Sequence, residues 1–327
     1  MTTYYGLYGQ KVQYLASDPT DVQTGQVWYN STSATLKVRS VTTSGTWASG
    51  GNVNSARSVA GFAGTQTANL IFGGASSPPG PNAMNNSEAY DGTTWTNTPT
   101  INTARNQASG FGIQTAAVMA GGADAAGNAY DNTELYNGTS WTNNPTGLNS
   151  ARRLLGAAGT QTAGLAFGGL TPPRTQTESW NGTSWTNSPA NLNTGRYGLM
   201  GIGIQTAALA IGGQTTVDVA SSESWNGTSW TSTSPLNTAR YIMATAGTQT
   251  AGLSAGGADP SKSATELWDG TSWTNGTSLS TAKAAAGGGG TQTVAIASSG
   301  SLNPGFTAGT EEWTGPGAAV TRTVTVT

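Results

Sequence analysis

Short apolar runs recur along the chain, each closed by a glycine pair. Leu70-Ile71-Phe72 precedes Gly73-Gly74, Val118-Met119-Ala120 precedes Gly121-Gly122, and Leu165-Ala166-Phe167 precedes Gly168-Gly169. Leu209-Ala210-Ile211 precedes Gly212-Gly213 in the same way, and a further pair stands at Gly256-Gly257. Runs this short, bounded by Gly, Thr and Asn, predict strands, because a helix needs an apolar stripe of 3.6-residue period over roughly ten or more residues. No window carries such a stripe. Upstream of each run, small apolar stretches such as Val59-Ala60-Gly61-Phe62 and Leu199-Met200-Gly201-Ile202 predict a first strand. A tight Gly-Thr-Gln-Thr turn, as at Gly159 to Thr162, joins it to the second. Downstream, a third strand carries an acid and an aromatic (Glu178-Ser179-Trp180), and Asn-Gly or Asp-Gly, a strong hairpin signal, leads to a fourth that starts at Trp.

This four-strand unit repeats. A basic residue follows Asn/Ser-x-Ala/Gly at Arg57, Arg105, Arg152, Arg196, Arg240 and Lys283, about 43–48 residues apart. An acid follows each diglycine at Glu88, Glu134, Glu178, Glu223, Glu266 and Glu311, with Ser299-Gly300 replacing the diglycine in the sixth unit. The first five units end in Trp95, Trp141, Trp185, Trp230 and Trp273. Repeats of this length with four short strands each predict the blades of a propeller. The sixth unit has no closing Gly-Thr-Ser-Trp, while an orphan Gly45-Thr46-Trp47 precedes Arg57 at the spacing by which Trp95 precedes Arg105. Residues 45–49 are therefore expected to supply the fourth strand of blade six, closing the ring and protecting its edges. The alternating stretch Val320 to Val326 is a rival for that place. The division expected is 1–44 as an N-terminal segment and 45–327 as the propeller.

Composition refines this reading. Charged residues make up only 9% of the chain and apolar ones 35%, values that invite a disordered interpretation. The 11 Trp recur in register, which a solvated chain has no reason to maintain. There is no Cys and no His, which excludes disulfides, thiolate zinc sites, Cys nucleophiles and Ser/His/Asp triads. No cofactor or metal is expected. Glu311 and Glu312 point to opposite faces of a strand and cannot form a glycosidase pair by themselves. A net charge of −2 leaves no basic face for nucleic acid. No apolar stretch is long enough for membrane insertion, and residues 1–30 lack the pattern of a signal peptide. A non-enzymatic protein is expected.

Two roles are open for the repeated charges. Arg and Glu at fixed places in so uncharged a chain suit internal pairing. Alternatively Arg57, Arg105, Arg152, Arg196, Arg240 and Lys283, with Arg174 from a neighbouring loop, line one mouth of the channel and bind an acidic or sugar ligand. The tryptophans suit packing between blades, or stacking on sugars where exposed. The connections from diglycine to Glu vary most, among them Ala75–Ser87 and Leu170–Thr177. They open on the same face as the connections carrying the Arg series, and that loop face is the candidate interaction surface.

Over roughly residues 45–315 the diglycine after an apolar strand, the aromatic third strand, the Trp of the fourth and the Arg before the next blade resemble the kelch family. The Asn226 to Ser229 type of turn and the Ala/Gly-rich inner strands depart from it. With six repeats, and with residues 1–44 read as two strands around a turn, the expected fold is an all-β, six-bladed kelch-like β-propeller with a short N-terminal β-hairpin extension, and the resemblance implies an interaction role. Kelch-type copper oxidases need His and a Cys-linked Tyr, which this chain lacks. A second resemblance lies in Gly25-Gln26-Val27-Trp28-Tyr29-Asn30 with Leu36-Lys37-Val38, which is similar to a hairpin of tail-fibre and other virion proteins of tailed bacteriophages. It implies a virion structural protein, a tail fibre or a capsid or tail decoration, assembled in the host cytoplasm and homo-oligomeric or present in many copies on a particle. Its partners would be other virion proteins or a host-surface glycan, with Tyr4, Tyr5, Tyr8, Trp28 and Tyr29 forming a docking segment. The alternative is a cellular kelch-type protein-interaction module.

Overall fold

The computed structural model describes residues 12–20, 25–41, 44–76, 82–258, 260–302, 304–316 and 319–324. Every regular element among them is a strand. Strands β1 (Gln13–Leu15), β2 (Val27–Asn30), β3 (Thr35–Val41) and β4 (Thr46–Gly50) come first. Next are β5–β8 (Gly61–Gly64, Asn69–Phe72, Ser87–Tyr90, Trp95–Thr98) and β9–β12 (Ser109–Ile113, Ala116–Ala120, Thr133–Tyr136, Trp141–Asn143). Then come β13–β16 (Gly156–Thr160, Ala163–Phe167, Thr177–Trp180, Trp185–Asn187) and β17–β20 (Met200–Ile204, Ala207–Ile211, Ser222–Trp225, Trp230–Thr233). The chain continues through β21–β24 (Ala244–Gly247, Gly252–Ala255, Thr265–Trp268, Trp273–Gly276) to β25–β28 (Gly287–Gly290, Val294–Ser298, Thr310–Thr314, Ala319–Val324).

These strands form seven four-stranded sheets. The first five are the consecutive quartets from β5 to β24; the sixth is ordered β25-β26-β27-β4, and a small sheet is ordered β1-β2-β3-β28. The ladders are antiparallel except for the parallel β1–β2 pair. By compactness the chain divides into Met1–Gly45 with Thr314–Thr327, and Thr46–Trp313. The C-terminal strand thus groups with the N-terminal segment: β28 pairs with β3 from Ala319↔Val41 to Val324↔Leu36. An alternating strand can complete any open edge, and β4 already occupies the edge of β27. Thr325 and Val326, the end of the rival stretch, lie outside the described residues.

Within the larger unit the first strands neighbour one another in cyclic order, β5, β9, β13, β17, β21, β25 and back to β5, a β-propeller-like arrangement. Their sequences explain how they come so close. At Gly287 a Cβ would lie 1.6 Å from the Phe62 ring, so the tetraglycine strand β25 leaves room for the one aromatic of β5. The core therefore lies between sheets. Leu70 and Phe72 of the first sheet pack with Met119, Tyr136 and Trp141 of the second, and equivalent clusters fill the later seams. Burying each such side chain contributes roughly 1.5–3 kcal/mol.

Polar side chains tie the seams. The Gln of each inner turn reaches the preceding sheet: Gln161 Nε2 donates to the carbonyls of Ala117 at 3.2 Å and Tyr136 at 2.6 Å. Gln66 makes the same pair across the ends of the unit, to Ala295 at 3.0 Å and Trp313 at 2.8 Å. The outer tryptophans that face a threonine donate likewise, Trp185 Nε1 to Thr133 Oγ1 at 2.9 Å and Trp230 Nε1 to Thr177 Oγ1 at 3.0 Å. Trp47 stands 5.2 Å from the Trp313 ring and donates to Thr265 Oγ1 at 3.0 Å. The Asn-Gly signal marks a four-residue loop, since Tyr136 pairs with Trp141 and Asn137 Oδ1 accepts from the amides of Thr139 and Ser140.

In the small unit, Trp28 Nε1, Asn30 Nδ2 and Lys37 Nζ all donate to the Asp18 carboxylate, at 3.0, 2.7 and 2.6 Å. The bonds from Lys37, Asn30 and Trp28 lower its pKa from 3.8 to about 2.

Candidate functional site

The repeated basic residues sit where each sheet hands over to the next, and they are buried, with side chains no more than 1% exposed. Each faces the Glu of its own sheet. Arg105 and Glu134 stand 3.2 Å apart, Arg152 and Glu178 2.6 Å, Arg240 and Glu266 3.0 Å, and Lys283 and Glu311 3.2 Å; Arg57 pairs with Glu88, and Arg196 with Glu223. Arg57, Arg152, Arg196 and Arg240 also donate to the carbonyl of the first glycine of the corner, whereas the Arg105 guanidinium is buried without a hydrogen-bond partner. Arg152 donates to the carbonyls of Gly168 at 2.8 Å and Gln176 at 3.0 Å. The corner itself demands glycine: Gly121 has φ +65°, and a Cβ there would lie 2.4 Å from the Arg152 carbonyl oxygen. Burial lowers the pKa of each repeated Arg and of Lys283, against the raising effect of the facing Glu.

A third member of this set is the Asn that stands three residues before each Arg and by which the repeat is aligned. Asn149 donates its amide N–H at 2.7 Å and its side-chain N–H at 2.6 Å to Glu178, and reaches the Trp185 carbonyl at 3.2 Å. Asn102, Asn193 and Asn237 repeat the triad of bonds on Glu134, Glu223 and Glu266. Ser280 stands in for Asn on Glu311, through its amide at 2.7 Å and its hydroxyl at 2.6 Å. Burial raises the Glu311 pKa, yet these bonds and Lys283 outweigh it and hold the group below its usual range. Every carboxylate in the series is thus held by a cation and by the connection into its sheet.

Two residues beyond each basic residue, the backbone forms a collar. The amide of Gln107 donates to Val59 O, Leu154 to Gln107 O, Gly198 to Leu154 O, Ile242 to Gly198 O, Ala285 to Ile242 O, and Val59 to Ala285 O, at 2.7–3.3 Å. The circuit returns to its start. All six residues have positive φ, between 46° and 62°, and just one of them is glycine. The collar lines a cavity of about 60 Å³ together with Phe62, Met200 and Met243. It lies on the loop face, since the residue before Val59, Ser58, bridges to Ala75 at the start of the variable loop.

Of the expected loop-face residues, Arg174 alone reaches the surface. Its guanidinium lies 4.9 Å over the Tyr197 ring and donates to Thr215 O at 3.3 Å. Tyr197 in turn bonds Gln214, whose Nε2 donates to Asp218 at 3.1 Å. Trp28 is buried in the small sheet, while half-buried Tyr29 stacks at 5.1 Å on Tyr14, which is 75% exposed. Tyr4, Tyr5 and Tyr8 lie outside the described residues. Among the described residues no three His, Cys, Asp or Glu side chains converge as metal ligands, and no helix is long and apolar enough to cross a membrane. No protein-family model matches this sequence, and no curated protein matches it.

Proposed function

We propose that this protein is a non-enzymatic structural component of a tailed-bacteriophage virion. In this reading a closed, six-bladed kelch-like propeller is the contact module, and the small sheet mounts it on the particle. The observation that carries the reading is the internal commitment of the repeated charges. With six cations and six carboxylates buried against each other, the larger unit is a rigid frame whose variable parts are the loops of one face. Support for six blades comes from the unbroken circuit of collar bonds and the cyclic order of first strands. Support for mounting comes from the small sheet, a compact unit in which the phage-like hairpin is paired with the C-terminal strand. Contact with other virion proteins is favoured over glycan because Trp95, Trp141, Trp185, Trp230 and Trp273, the repeated side chains suited to stack on sugars, are buried.

The test is electron microscopy of purified virions mixed with antibody raised to this chain. Label at fixed sites on capsid or tail is the expected result, and its position separates decoration from a fibre. Unlabelled virions, with the protein confined to the lysate, would overturn the virion reading in favour of a cellular interaction module.

A further inference from the structure

The collar carries side chains where its backbone asks for glycine. Positive φ is uncommon for any side-chain-bearing residue and an outlier for a β-branched one. Gly198 shows that glycine serves the ring without strain, yet Val59 (φ 47°) and Ile242 (φ 46°) occupy equivalent places, as does Leu154 (φ 52°). Strain of this kind persists where the surroundings impose it, and it clusters at sites of recognition. The branched aliphatic groups alternate around the circuit: Val59, Leu154 and Ile242 come from the first, third and fifth sheets, Gln107, Gly198 and Ala285 from the others. Three aliphatic side chains thereby share one axial cavity. The amides and carbonyls of the collar bond each other, so the site is read through its side chains.

We infer that this cavity is a socket for one branched aliphatic side chain of a protein partner, with Gln107 accepting an N–H beside it. The inference rests on the loop-face contact proposed above. Size and chemistry select the occupant. A cavity of about 150 Å³ admits benzene, whereas this one, at about 60 Å³, suits the branched end of a Leu or Val. No charged residue lines it, and its single polar side chain is Gln107, whose Oε1 is buried without a hydrogen-bond partner. A buried acceptor left unmet is costly, and a donor carried by the incoming backbone satisfies it.

The probe is N-acetyl-leucinamide, titrated into the full chain with methyl-labelled Val, Leu and Ile. Saturable shifts at Val59, Leu154 and Ile242 are expected, with none from N-acetyl-glycinamide. Gln107→Met should weaken binding roughly fivefold by removing the acceptor. Ala285→Leu, at a φ of 52° that Leu154 shares, should abolish it by filling the cavity. Thermal melting of both variants confirms folding. The socket is overturned if the leucine compound gives no saturable shift, if the glycine compound shifts the same methyls, or if a folded Ala285→Leu binds undiminished. This readout needs no particle, so a failed socket with labelled virions leaves the mounting role standing. A filled socket with unlabelled virions moves the partner elsewhere.

Discussion

The third sheet comes from one run of chain, Gly156 to Asn187, whereas the sixth joins β25–β27 from one end of the chain to β4 from the other. In the third sheet, Arg152 makes bonds of 2.6–3.0 Å to Glu178 and two carbonyls, and Asn149 completes the carboxylate. The sixth uses Lys283 at 3.2–3.3 Å and Ser280 instead. Its diglycine corner becomes Ser299-Gly300, and the Ser299 hydroxyl donates to Arg57 O at 2.6 Å, where the other sheets have a close approach to bare Gly. Glu312, on the opposite face of β27 from Glu311, accepts from Tyr90 of the first sheet, and burial with that contact raises the tyrosine pKa to about 12. Local sheets lean on a buried ion pair. Against the third sheet, the sheet made from two ends has the longer pair of Lys283 and Glu311, and it adds hydroxyl bonds and aromatic contact across the closure.

The largest expected effect tests the ion pair. Arg152→Met leaves Glu178 buried and uncompensated, and should cost about 3–5 kcal/mol in denaturant unfolding. Lys283→Met should cost less, about 2–3 kcal/mol, because its bonds are longer and Glu311 is less deeply buried than Glu178. Equal losses would break the comparison. Next comes the seam. Trp230→Ala should cost about 3–5 kcal/mol and Trp47→Ala, half-buried, about 2–3 kcal/mol. Trp47→Ala should also strip hydrogen-exchange protection from β4 before any other strand of the larger unit. Uniform loss of protection would mean that the closure is no weaker than the other seams.

A smaller effect lies in the Trp-to-Thr bonds. Where the repeat carries serine, at Ser87 and Ser222, the hydroxyl is buried without a partner, and so is the indole N–H of Trp141 and Trp273. The β-branch of threonine restricts χ1 and aims its hydroxyl. Ser87→Thr and Ser222→Thr should each raise stability by about 0.5–1.5 kcal/mol, read from the denaturation midpoint. No gain would show that the methyl does not fit there. The smallest effect concerns the other sheet assembled from both ends. Folding lowers the Asp18 pKa from 3.8 to about 2, so its contribution is present above pH 3.8 and is lost as pH falls through about 2. The Trp28 indole N–H signal should shift across that window, and Asp18→Asn should remove the transition. A transition that survives the substitution would assign it to another carboxylate.

Much of this was legible in the residues. The apolar runs, the turns and the Arg, Glu and Trp series mark strands that the structure contains at those places, from β5 to β27. The pairing of Arg with Glu was foreseen as one of two roles. The Asn recurs before the Arg, but its bonds to the Glu were not foreseen, because a polar residue in a Thr/Ser/Asn-rich connection does not show by itself which group it meets. Nor was the collar, since positive φ at Val59, Leu154 and Ile242 contradicts local preference and is imposed by the ring of bonds around them.

Sequence alone determined the strands, their turns and the period at which they recur, because alternation, glycine corners and Asx turns act over a few residues. It also determined which chemistry is absent, since no fold supplies a missing His or Cys. Only the tertiary structure decided which edge the last strand completes, which charges are buried and which side chains meet at the axis. Those outcomes depend on backbone from distant parts of the chain arriving together: β28 beside β3, Gln66 on Trp313, Val59 on Ala285. A strand carries the same hydrogen-bonding groups whichever neighbour it meets, and the choice is made by the packing around it.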